Sequence, residues 1–303
     1  MKRFDQISGR LRGLVLSTAG LLLCFSLPLY RLVRFAIQSE LYSYIILIPF
    51  ISGYLVWLRR RSLPPCSSPD RRAAVIPLTI GVALLASYWA AALARTELGR
   101  EDSLVLTTLS FLMFFGAACS LFLGKPTLRA LAFPLGFLVF MVPIPMLLRT
   151  WMETFLQHGS AAVAFGLFKL AGTPVFSQGL SFQLPGFSMK VAPQCSGIHS
   201  SMALFITSLL AGYFFLRPRW KRATLALAVI PLALLRNGFR VFTIGQLCVH
   251  IGPEMINSYI HRHGGPIFFV LSLVPFFLLL FFLMKSDRLL RQPAPRNPGA
   301  QNA

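Results

Sequence analysis

Runs of about 20 mainly apolar residues recur along nearly the whole chain, and nothing else in the sequence limits its fold as much. A bilayer core holds no water, so every backbone N–H and C=O crossing it must be satisfied within the protein. Continuous runs of this length predict helices. They lie at 13–30, 41–58, 73–94, 103–123, 128–148, 197–216, 223–243 and 266–284. The expected fold class is therefore an all-α polytopic membrane protein with about eight transmembrane helices. A further stretch, 154–172, is interrupted by Gln157, His158, Gly159, Gly166 and Lys169, and is expected as an interfacial or re-entrant helix. The first run follows Lys2, Arg3, Arg10 and Arg12 but leads into Leu29-Tyr30-Arg31 with no small-x-small site, so an uncleaved anchor is expected. The domain expectation is one membrane unit over 1–284, with 1–12 and 285–303 as cytoplasmic tails, the latter disordered.

Charge has two readings here, and composition chooses between them. Lys and Arg number 29 against 9 Asp and Glu, a net charge of +20, which in a soluble protein suggests nucleic acid. Yet 55% of residues are hydrophobic and 13% charged, whereas soluble domains run near 45–50% and about 25%. The basic residues also gather between the apolar runs. Arg59, Arg60, Arg61, Arg71 and Arg72 share one loop; Arg217, Arg219, Lys221 and Arg222 share another. The positive-inside rule makes these loops cytoplasmic, along with both termini. Glu40, Glu97, Glu101, Asp102, Glu153 and Glu254 then face outward. The expected partner is the lipid bilayer, with no nucleic acid.

This topology, built from hydropathy and charge alone, gathers the unusual residues on one side. Cys195 lies two residues before span six, at its outer end. Arg240 lies three residues from the outer end of span seven, roughly 5 Å along a helix. His261 lies five residues before span eight, again outside. An arginine at a bilayer centre costs roughly 3 kcal/mol, and intramembrane charges are by default functional. Arg236 and Arg240, four apart, share one helix face with Asn237 and Gly238 between them; snorkelling to the interface is the competing explanation.

Cys195 stands in Ala192-Pro193-Gln194-Cys195-Ser196-Gly197, a turn entering a helix. A helix N-terminus lowers a thiol pKa and stabilises an oxyanion, and Ser196 and Gly197 admit a substrate carbonyl close to the backbone. An inert thiol, or a disulfide to Cys248, stands beside that reading. Cys24 and Cys119 lie in apolar runs as small hydrophobes, and Cys66 sits in a basic loop. His199, four residues after Cys195, shares its face if the helix has begun. His261 and His263 flank Arg262 before Gly264-Gly265, while His158 and His250 read as interfacial or structural. Upstream, Ser181–Leu184 and Phe187–Val191 alternate around Pro185-Gly186, predicting a small outward β-hairpin. It either offers an edge to an extended substrate or only orders the loop.

Ala192-Pro-Gln-Cys-Ser-Gly-Ile198, Asn237-Gly-Phe-Arg240 and His261-Arg-His-Gly-Gly265 followed by Phe268-Phe269 together resemble the exosortase/archaeosortase family of membrane transpeptidases. The resemblance covers roughly 40–284 and is specific over 192–269. It implies Cys195 as the nucleophile, Arg240 as the conserved arginine and His261 as the third catalytic residue, with Asn237 close by. Arg236, His263, His199, Ser196 and Gly197 are supporting or alternative site residues. Where many members carry Trp after the second glycine, this chain has Pro266. The resemblance further implies a cysteine protease–transpeptidase of the cell (inner) membrane with an outward site. Its partners would be exported proteins with a C-terminal sorting signal (short motif, transmembrane helix, basic tail) and an acceptor molecule. No cofactor is implied, and no metal-ligand spacing occurs. A transporter or channel with an arginine anion site is the competing class. An extracytoplasmic reporter fused after Met284 should stay inactive, while a cytoplasmic one should report; the opposite pair of signals would invert the topology.

Overall fold

A computed structural model describes residues 2–64, 71–96, 98–192, 196–252, 254–255 and 265–289. The chain divides into two compact units, Met1–Arg149 and Thr150–Ala303.

In the first unit, α1 (Lys2–Cys24) and α2 (Ser26–Gln38) form one apolar stretch bent by 70°. Pro28 explains the break: its ring collides with the carbonyl four residues back, that of Cys24, and it brings no N–H to bond there. A 3-10 turn (Ser43–Ile46) leads to α3 (Ile48–Arg59), and α4 (Arg71–Leu93) packs along α5 (Arg100–Leu123). The α4–α5 approach is close because Gly81 meets Met113 and Phe114, and Ser110 Oγ donates to the Gly81 carbonyl at 2.8 Å. Then α6 (Lys125–Ala130), α7 (Ala132–Phe137) and a 3-10 turn (Leu138–Met141) replace the single span expected at 128–148. Val142 is extended, the conformation forced on a residue before proline, and Pro143 and Pro145 end the helix. Beyond them α8 (Met146–Leu170) leaves at 89°. Its start is held by acidic groups of α5: Asp102 Oδ1 accepts from the Met146 N–H at 3.0 Å, and Glu101 pairs with Arg149.

The second unit carries the rest of α8, a small sheet, and helices α9 (Ile198–Phe215), α10 (Arg219–Leu227), α11 (Val229–His250) and α12 (Gly265–Leu289). Leu204, Leu216, Leu225, Val229, Phe276 and Leu280 form one buried cluster across α9 to α12. Lys221 is buried beneath it, and its Nζ donates to the Leu283 carbonyl at 3.0 Å.

The sheet is antiparallel, in the order β1 (Phe176–Gln178), β2 (Ser181–Leu184), β3 (Phe187–Lys190). The expected hairpin is β2–β3, closed by Pro185-Gly186, with Gly186 at φ +84° as a type II turn demands of its third residue. β1 is an addition the alternation did not announce. Register pairs Phe182 with Met189 and puts both inward, with Gln183 and Ser188 outward. The inward side chains pack with Val191 on Ala161, Ala164 and Phe168 of α8 and Val241 of α11. The sheet is thus docked on the helices.

Among the described residues, five helices, Arg71–Leu93, Arg100–Leu123, Ile198–Phe215, Arg219–His250 and Gly265–Ser286, are long and apolar enough to cross a membrane; counting each bent pair as one span gives seven, in keeping with about eight. The pairs are α1–α2 and the Ala132–Met141 segment with α8, so the 154–172 stretch belongs to a continuous helix beyond a sharp bend. The segment at 41–58 is split between a 3-10 turn and the 12 residues of α3. Polarity is inverted relative to a soluble protein: Leu93, Leu147, Leu170 and Phe282 are exposed, whereas Thr108, Ser110, Ser160 and Ser208 are buried. Terminal residues 2–12 are helical, and the tail from 290 lies outside the described residues. Phe182→Ala should cost about 3 kcal/mol by emptying a filled site, read as a lower unfolding midpoint in detergent, while Ser188→Ala leaves that midpoint unchanged.

Candidate active site

The chain reaches the Cys195 segment from the end of the sheet. There the Val191 N–H donates to the Leu180 carbonyl at 2.9 Å, and the Val191 carbonyl accepts from Gln157 Nε2 of α8 at 3.2 Å. Gln157 is buried, so its amide has few other choices. Cys195 lies outside the described residues, as do His261 and His263. The description resumes at Ser196, which is buried, and Gly197, the residue before α9.

Gly197 takes φ +72°, a left-handed conformation costly for any residue with a Cβ. Its carbonyl opens the helix by accepting the Ser201 N–H at 3.0 Å. It also accepts from Ser201 Oγ at 2.8 Å, Ser200 Oγ at 3.2 Å and Arg236 Nη2 at 3.1 Å. One oxygen therefore gathers four donors. Arg236 Nη2 reaches Ser201 Oγ as well, at 3.2 Å.

Arg236 is 8% exposed, within α11. That burial argues against snorkelling, which would carry the charge to water. Asn237 is 2% exposed, and its Nδ2 donates to Ser160 Oγ of α8 at 3.1 Å. Gly238 lets the two helices touch: a Cβ there would come within 2.5 Å of Val163 Cγ1. Arg236 Nη1 and Ser196 Oγ are buried without a hydrogen-bond partner among the described residues. Arg240 is half-buried one turn beyond Arg236, and His199 is exposed on the first turn of α9.

Arg236, Asn237, Ser196 and Gly197, drawn from two distant sequence positions, thus meet at the N-terminus of α9. His158 stays apart, exposed on α8 with Nδ1 2.9 Å from the Thr154 carbonyl. Cys248 is a buried free thiol. Among the described residues no group of three or more His, Cys, Asp or Glu could hold a metal ion.

The protein-family model described as Transmembrane exosortase (Exosortase_EpsH) matches residues 36–278. The chain belongs to the transmembrane exosortase family. It is a multi-pass membrane protein, and the matched range includes all three motifs, around Cys195, Arg240 and His261. A search of curated proteins and a search of solved structures each return no match.

In this exosortase, sequence reasoning missed Gln157, Ser160 and Ser201 as site-building residues. Gln157 registered only as an interruption of an apolar run. Its spacing from Ser160 held a signal, since residues three apart share a helix face. Gly197→Ala combines left-handed strain with a Cβ placed 2.9 Å from Arg236 Nη2 and 3.1 Å from Asn237 Oδ1. It should destabilise the solubilised protein by about 2 kcal/mol, seen as a lower thermal midpoint.

Proposed function

We propose that this exosortase is a membrane-embedded cysteine protease–transpeptidase that removes the C-terminal sorting signal of exported proteins and passes them to an acceptor. Cys195 is the nucleophile, Arg240 its electrostatic partner and His261 the acid–base, with His263 and His199 the alternative imidazoles. The observation that carries this reading is the polar cluster at the start of α9. There Arg236 and Asn237 are buried against Gly197, two residues after Cys195. So much polarity in an apolar helix bundle is costly and marks function.

The Cys195 thiolate attacks the scissile carbonyl carbon of the sorting motif. Free N–H groups at the start of α9 and the Arg240 guanidinium stabilise the oxyanion. A buried donor beside Cys195 in the sequence, Ser196 Oγ, suits a negative charge that appears only in the transition state. As the carbon–nitrogen bond breaks, protonated His261 gives its proton to the leaving amine, and the helix with its basic tail departs. The thioester is then attacked by the acceptor, whose proton returns to His261 while the sulfur leaves as thiolate. An amine acceptor gives transpeptidation; water gives proteolysis.

The site faces outward from the cell (inner) membrane with both termini cytoplasmic, a reading supported by the distribution of basic loops. The docked sheet supports a positioning role for residues 176–191, because its inward face is spent on α8 and α11.

The test is tail release from a co-expressed protein carrying motif, helix and basic tail. Cys195→Ala should accumulate normally and release none, and undiminished release would remove the nucleophile. His261→Ala should lower release by about a hundredfold or more, and His263→Ala far less. The reverse order would transfer the acid–base role to His263.

A further inference from the structure

The segment carrying Cys195 is bracketed by two carbonyls, each held by a buried side chain from a different helix. Upstream, Gln157 of α8 donates to Val191; downstream, Arg236 of α11 donates to Gly197. Both side chains are more than nine-tenths buried. Cys195 is two residues from Gly197, so covalent geometry alone keeps its Cα within about 7 Å of the pinned glycine.

A turn before a helix ordinarily settles its carbonyls with water. Here the donors are buried side chains, and a carbonyl left unmet away from water is expensive, so each side-chain donor gains weight accordingly. Arg236 is suited to the task because its planar fork reaches the Gly197 carbonyl and Ser201 Oγ from one nitrogen. Asn237 and Ser160 tie α11 to α8 between the two anchors, so the anchors share one frame.

We infer that Gln157 and Arg236 are positioning residues that hold Val191 and Gly197, the residues flanking the Cys195 segment, and through them set the reactivity of its thiol. This rests on the reading of Cys195 as nucleophile, but the clamp itself is measurable without substrate. Arg236 acts through Gly197, whereas the role in charge stabilisation falls to Arg240.

The experiment compares wild type, Gln157→Leu, Arg236→Met and Arg236→Lys as full chains in lipid nanodiscs. It measures amide exchange over 191–201 and the rate of Cys195 alkylation by N-ethylmaleimide, resolved by peptide. Losing either anchor should speed exchange over 191–201 by about tenfold or more, with the middle of α11 unchanged. Arg236→Met should also change the Cys195 alkylation rate by at least about threefold, and Arg236→Lys should restore it, because lysine keeps a charged donor. A purely structural loss would spread to α11 and would not be rescued by lysine, and that pattern overturns the proposal. So does wild-type exchange in Gln157→Leu together with either arginine variant. If Arg236→Met fails to accumulate, Gln157→Leu and Arg236→Lys decide: faster exchange in the first supports the clamp, and wild-type exchange in both overturns it. Tail release by Cys195→Ala would defeat the nucleophile assignment while leaving the exchange result standing.

Discussion

A guanidinium removed from water has to find oxygen, and in this chain the oxygen belongs to the carbonyl of Gly197. Several features follow from that contact. Residue 197 has no room for a Cβ, because Arg236 and Asn237 occupy the space. The helix after it begins at a fixed point, with its free N–H groups beside the segment bearing Cys195. Asn237 then turns toward Ser160, drawing α8 against α11 at Gly238. Removing the arginine would leave that carbonyl with fewer donors and a cavity beside Gly197 and Ser201.

The rest of the fold expresses the same scarcity of water. Hydroxyls of Ser52, Ser110 and Ser208 turn inward to carbonyls, while leucine and phenylalanine cover the outside. Between such helices there is little hydrophobic gain to be had, since lipid is as apolar as leucine. Close contact at small residues does the work instead, as at Gly13 against Phe122 and Gly81 against Phe114. Proline sets the shape by breaking helices at Pro28 and across Pro143 and Pro145.

Much of this was legible in the residue order. Long apolar runs located the helices, alternation about Pro185-Gly186 located a hairpin, and an arginine pair in an apolar run marked α11 as unusual. Helix length was harder to read. Hydropathy sums over a window and does not register a 70° bend within it. The three-residue strand β1 is too short for a period-two pattern to stand out. The partners of Arg236 were hidden for a different reason: a backbone carbonyl has no letter in the sequence. Ser201 and Gln157 are single polar letters in apolar helices, and only their spatial neighbours give them a role. Arg236, for which snorkelling and function compete by its letter alone, is distinguished by burial.

The lysine beneath the α9–α12 cluster has a longer reach than its bond to one carbonyl suggests. Lys221 grips α12 at Leu283, eighteen residues and about 27 Å of helix from Gly265. The height at which α12 begins, at Gly265, is gauged from the far end of the helix. A single residue added between those points would advance the rod by about 1.5 Å and swivel its tip through about 100°. The length of α12 therefore acts as a ruler, and drift in it would be felt first at Gly265.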